Sequence, residues 1–255
     1  MTTTTASART SAPVAVLRTE ARLFAREPGS LFWILLFPTL LMTILGLIPS
    51  FREASDDIGG RRVIDLYVPT AVLLAMIMAG LQAMPPVLAG YRERGILRRM
   101  STTPVRPSAL LSAQLALHGA AAVVSAVLAM AVGRVAFDVA LPAQPFGYAL
   151  ALVLTTASAL ALGATVCAVS PTQKITTAVG SVIFFPSMFT SGVWLPVQAM
   201  PDTLQRIVEF TPLGAASQAL DRAAAGGWPA WSDLGVTGVW TALLTAAAVR
   251  WFRWE

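Results

Sequence analysis

FGYALALVLTTASALALGATVCAV, residues 146–169, is the stretch that decides the fold. It carries no Asp, Glu, Lys, Arg or His, and its polar atoms are a few hydroxyls, one phenol and one thiol. At about 1.5 Å of rise per residue a helix of this length crosses a hydrocarbon core of roughly 30 Å. Apolar and polar residues do not alternate along it, as they would in a barrel strand. A lipid-embedded segment must satisfy its own amides, so this one reads as a membrane-spanning helix.

Working outward, stretches 30–49, 66–90, 108–133, 175–195 and 233–250 have the same character, for an expected total of six spans. The composition agrees: 56% of the 255 residues are hydrophobic, 12% are charged and the mean hydropathy is +0.68. A soluble domain of this length carries about 25% charged residues, because its surface faces water. Pro38, Pro69, Pro85, Pro86 and Pro186 fall inside the spans, where membrane helices tolerate them as kinks. Residues 1–12 (MTTTTASARTSA) are low in complexity and are expected to be a disordered tail, with 13–255 a single transmembrane domain. No cleavable leader is expected, since the first apolar run is long enough to span.

The net charge of +5 and pI near 10.3 reflect topology rather than nucleic-acid binding, because most arginines lie between or beside the apolar runs. With the N-terminus inside, the inner segments hold twelve of the eighteen basic residues: Arg9, Arg18, Arg22, Arg26, Arg92, Arg94, Arg98, Arg99, Arg106, Lys174, Arg250 and Arg253. Arg52, Arg61, Arg62, Arg134, Arg206 and Arg222 fall outside, as do all but four of the acids. This obeys the positive-inside rule and puts both termini in the cytoplasm. Cys167, the single cysteine, can form no internal disulfide.

Three segments between the spans are informative. In residues 13–27, Val14, Leu17, Ala21 and Phe24 share one helical face and Arg18, Arg22 and Arg26 the other, which predicts an interfacial helix with its basic side on anionic headgroups. In YRERGILRRMSTTPVRP, residues 91–107, a helix would gather Ile96, Leu97 and Met100 on one side and spread Arg94, Arg98 and Arg99 over the other. Residues 196–232 read as one or two short helices at the outer leaflet, with Leu204, Ile207 and Val208 on one face. Trp228 and Trp231 there suit the headgroup layer, though a packed lid would have the same pattern.

YRERGILRRMSTTPVRPSALLSAQL resembles the loop of type-2 ATP-binding-cassette (ABC) exporter permeases, which has the form ERE-x-G-T-x-x-x-L-x-x-T-P. Arg92, Glu93, Arg94, Gly95, Thr103 and Pro104 match it, while Ile96 replaces a frequent threonine and Arg98 a frequent acid. TSGVWLPVQAMPDTLQRIVEFTPLGAASQAL resembles the same family's G-x-x-x-P-x-x-x-M-P pattern and its downstream proline, here Gly192, Pro196, Met200, Pro201 and Pro212, an outer-gate motif. The resemblance implies an all-α integral membrane protein with six transmembrane helices, an N-terminal interfacial helix, a cytoplasmic coupling helix and outer-leaflet short helices between spans five and six. It further implies that Arg92, Glu93, Arg94, Gly95, Arg98, Met100, Thr103 and Pro104 couple the chain to an ABC nucleotide-binding ATPase subunit. A second permease subunit, as a homodimer, and a bacterial plasma-membrane location complete the implied assembly.

A P-loop needs G-x-x-x-x-G-K-[ST], and the one lysine, Lys174, follows PTQ. ATP and Mg are therefore expected in the partner subunit, with no cofactor or metal bound by this chain. One histidine and no acid in a span core leave no intramembrane enzyme site and no acidic relay for a proton-coupled carrier. A purely structural membrane subunit would look alike in sequence. The expected cargo is hydrophobic or amphipathic (drug, lipid or natural product), with Gln82, Gln114, His118, Phe185, Met188 and Phe189 along its path. Polysaccharide or lipid-linked glycan is the alternative cargo, but would favour a path richer in aromatics than the 8% here.

Overall fold

In the computed structural model, residues 12–55, 60–101, 107–195, 197 and 200–252 are described. The expected tail at 1–12 lies outside them except for its last residue. The described residues are almost entirely helical. A two-residue antiparallel pair, Ala54–Ser55 with Arg61–Arg62, closes the turn after the first long helix.

A short helix, α1 (Ala12–Phe24), lies against the bundle. The long helices follow as α2 (Pro28–Gly46) and α3 (Val63–Glu93), then the short α4 (Ile96–Ser101), then α5 (Pro107–Phe137) and α6 (Pro145–Val169). Next come α7 (Gln173–Thr190), the short pair α8 (Asp202–Glu209) and α9 (Pro212–Ala224), and α10 (Trp231–Trp251). Among the described residues, α2, α3, α5, α6 and α10 are long and apolar enough to span. The expected span at 175–195 is α7, which stops at Thr190 and is more polar, with Gln173, Lys174, Thr176 and Thr177 in its first turns. Its end follows from Gly192, whose φ of +79° lets Val193 N–H reach back to the Met188 carbonyl at 3.0 Å.

The prolines act differently from one another. Phe32–Leu36 and Met78–Ala83 are π-helical turns, each running up to a proline: Pro38 in α2, and Pro85 and Pro86 in α3. Proline has no N–H to give the carbonyl four residues back, and a widened turn re-pairs the backbone instead. Phe37 N–H reaches the Phe32 carbonyl, and Met84 N–H the Ala79 carbonyl. Pro69 and Pro186 sit inside continuous α-helix.

Helices α3 and α6 form the centre, each with 67% of its apolar window buried within the chain. Small residues let them meet backbone to backbone, the usual solution where lipid supplies no hydrophobic drive between helices. A methyl group built on Gly163 would overlap the Gly80 carbonyl oxygen, and one on Gly80 the Ala159 carbonyl. Gly180 of α7 approaches the same π turn, its Cβ position lying 2.8 Å from the Leu81 carbonyl oxygen.

Two expected faces are corrected. On α1, Val14 and Leu17 are exposed, and the inward face is Val16, Glu20, Ala21 and Phe24. The expectation maximised apolar residues on one side, whereas the helix turns to bury a carboxylate that has partners inside. On α8, Val208 is buried and Leu204 packs beside it, but Ile207 is exposed. The 196–232 segment does form two helices. The second, α9, packs against α6 and α10 and buries Leu213, Ala216, Leu220 and Ala223, so it belongs to the bundle.

Candidate functional site

The segment joining α3 to α5 is the first candidate. Helix α3 ends at Glu93, and Gly95 turns the chain with a φ of +67°, a conformation that costs a side-chain-bearing residue but not glycine. Helix α4 then starts at Ile96 and lays Leu97 into the bundle, where it is 1% exposed. Ile96 and Met100 pack around the same cluster, which includes Met84, Leu88, Leu110 and Phe252. Arg98 and Arg99 are exposed. The apolar stripe and the basic outer face expected from the sequence are both present. Thr103 and Pro104 lie outside the described residues.

The eight residues expected to touch an ATPase divide by their surroundings. Arg92 is half-buried and turned inward, donating to the carbonyls of Cys167, at 3.2 Å, and Ser170. It closes the orphan carbonyls at the end of α6, a use of arginine that charge counting could not reveal. Arg94 folds back to donate to the Gly90 carbonyl at 3.0 Å, its guanidinium 5.6 Å from the Tyr91 ring centroid. The Glu93 carboxylate is exposed and accepts from the Gln173 backbone N–H at 3.3 Å, joining this loop to the start of α7. Glu93, Gln173, Lys174 and Thr177 line a groove of about 490 Å³. At this end Glu93 and Arg98 are exposed, while Gly95 and Met100 are half-buried.

The outer-gate residues lie at the opposite end of the bundle. Gly192 caps α7, Met200 packs on Val197 and Val208, and Pro201 precedes α8. Pro212 opens α9 behind the Thr211 hydroxyl, which accepts from Gly214 N–H at 3.1 Å. Pro196 lies outside the described residues. Arg62 organises this end by pairing with Asp65 at 2.7 Å and donating to the carbonyls of Phe137 and Asp138. The Asp65 carboxylate beside it raises the Arg62 pKa above its ordinary value.

The expected cargo-path residues are not brought together. Gln114 and His118 are buried on α5 where α1 covers it, the Phe24 ring meeting the imidazole edge-on at 5.0 Å. His118 Nδ1 donates to the Gln114 carbonyl at 3.0 Å, and His118 Nε2 and Gln114 Oε1 have no partner among the described residues. Gln82 sits half-buried in the π turn of α3. Phe185 and Phe189 are on the open face of α7, with Met188 turned toward the core.

Sequence reasoning missed Glu20. It is 7% exposed, and one carboxylate oxygen accepts from Gln114 Nε2 at 2.6 Å and from the Tyr91 hydroxyl at 2.8 Å. Its position among apolar neighbours on α1 was the available signal, masked by the arginines around it. Among the described residues no cluster of His, Cys, Asp and Glu could hold a metal ion.

The chain matches the family described as ABC-2 type transporter over residues 14–222. No curated protein matches the chain.

Proposed function

This chain belongs to the ABC-2 type transporter family, and from that premise we propose that it exports a hydrophobic or amphipathic small molecule. It is a multi-pass membrane permease domain without ATPase activity of its own, and ATP is hydrolysed in a separate nucleotide-binding subunit. Within the proposal α7 is a sixth span and both termini are cytoplasmic, so that the α4 end of the bundle faces the ATPase. The positive-inside count supports this orientation.

The observation that carries the proposal is α4 itself. A six-residue helix with Leu97 seated in the bundle and arginines outside, hung on a glycine hinge, is suited to pass a push from a docked subunit into α3 and α5. To move a two-state bundle from 1:99 to 99:1, ATP binding must favour one orientation by about 5.5 kcal/mol. Glu93, Gly95 and Arg98 form the proposed contact, with the α7 N-terminal turn beside them.

The cargo class is supported by the acids. The two buried ones among the described residues are Glu20, on α1, and Asp233, in the first turn of α10 beside Arg222 at 3.7 Å. Neither sits mid-span, so the span interiors offer hydroxyls, amides and an imidazole rather than a fixed charge. A second copy of this chain is the proposed partner across the open face of α7. That helix is too polar at its start to face lipid throughout, and it presents Phe185 and Phe189. A drug, lipid or natural product fits such a path.

Purification of the tagged chain from its native membrane in gentle detergent tests the reading. A stoichiometric P-loop subunit with ATPase activity is the expected result, and a chain that purifies alone without ATPase would remove it. Within that complex, Gly95→Pro is expected to leave the chain inserted but abolish cargo-stimulated turnover. Normal stimulation would sink the role given to α4.

A further inference from the structure

Helix α1 is held by something more directional than an apolar anchor. Its arginines, Arg18 and Arg22, are exposed, as is Arg26 just past its end, yet at the centre of its inward face stands a carboxylate, Glu20. Removing such a group from water is costly unless strong donors replace the lost hydration. Valine or leucine would anchor a surface helix without that cost. Here both donors come from long helices: Gln114 from the start of α5, and Tyr91 from the last turn of α3. Bonds to a charged acceptor are short and oriented, so this pair sets the rotation and axial position of α1 as well as its depth.

Tyr91 is also the root of the segment that turns into α4. Its ring carries the Arg94 guanidinium, Arg94 is tied to the Gly90 carbonyl, and Gly95 follows as the hinge. From these contacts we infer that Glu20 is a positioning residue which locks α1 to the root of α4, so that the two move as one body. The lock is a property of this chain alone, while its use in carrying ATP-driven movement rests on the function proposed above.

The test uses hydrogen–deuterium exchange on the full chain in lipid nanodiscs. Glu20→Gln keeps one oxygen that can accept from both donors but removes the charge that makes these bonds strong, and exchange across residues 13–24 is expected to quicken by about tenfold as local opening becomes easier. The exchanged pair, Glu20→Gln with Gln114→Glu, restores an amide facing a carboxylate and leaves an acceptor for Tyr91, and is expected to recover most of the protection. Exchange in Glu20→Gln within about twofold of the parent, or a swap that recovers nothing, would overturn the lock.

A second arm uses the complex with its co-purified ATPase. Addition of ATP and vanadate is expected to change exchange in residues 13–24 and 94–101 together in the parent, and in 94–101 alone in Glu20→Gln. If both segments still respond together in that variant, the lock is not what joins them. If no ATPase accompanies the chain, the proposed function fails, while the nanodisc arm still decides the role of Glu20.

Discussion

Helices α6 and α10 are both long and apolar and pack against each other, yet α6 is central in the bundle and α10 lies at its edge. Helix α6 is 67% buried within the chain over its apolar window and α10 is 17% buried, with mean hydropathies of 2.0 and 1.3. In water a gap of that kind would follow from hydropathy alone. In lipid a leucine is solvated equally well outside the bundle, so hydropathy admits a helix to the membrane without assigning its neighbours. What separates the two is the use of small residues. Gly163 of α6 meets the Gly80 carbonyl directly, whereas Gly235 and Gly238 of α10 have open space where a side chain would go. Glycine is a packing device in one helix and not in the other.

The sharpest way to break this comparison is to add bulk at the central crossing. Gly163→Leu should lower stability by about 3 kcal/mol, since the obstacle is backbone rather than a movable side chain. Thermal unfolding in detergent followed by size-exclusion chromatography measures it, and an unchanged melt would show that α3 and α6 do not cross there. Next in size is Arg92→Leu, which leaves the Cys167 and Ser170 carbonyls without their donor and should cost about 2 kcal/mol by the same assay. A normal melt in that variant would return Arg92 to the partner-facing set. Gly95→Ala, at a φ of +67°, should cost about 1 kcal/mol and slow ATP turnover in the complex more than it lowers the melt. Equal loss of both would make Gly95 a stability residue only. Least affected should be Gly238→Leu, expected within about 0.5 kcal/mol of the parent. A large effect there would mean that a partner or a tightly held lipid packs against α10.

Much of the fold was legible because the membrane imposes a coarse rule. A charge-free run such as 146–169 has to be a helix, and its ends fall where charge or proline resumes, as at Pro145 and, after the Ser170 cap, Pro171. The basic and apolar sides of α4 were legible for the same reason, since a six-residue helix has only two faces to assign. Legibility failed where a polar residue was turned inward by a partner far along the chain. Glu20 finds its donors 71 and 94 residues away, and Arg92 its acceptors 75 and 78 away, separations at which periodicity carries no information. The π turns lie between these cases. Their prolines announced a disturbance, but whether it became a π turn, as before Pro38, or stayed in regular helix, as at Pro69, depended on the surrounding packing.

By itself the sequence determined that this chain is a multi-pass helical membrane protein of the ABC-2 type, because span length, charge placement and short motifs are local properties. Tertiary structure alone decided which helices are central, which face of α1 is buried, that α9 joins the bundle, and which arginines are turned inward. Those outcomes depend on backbone approach and on hydrogen bonds between distant residues, and lipid, unlike water, does not sort helices by how apolar they are.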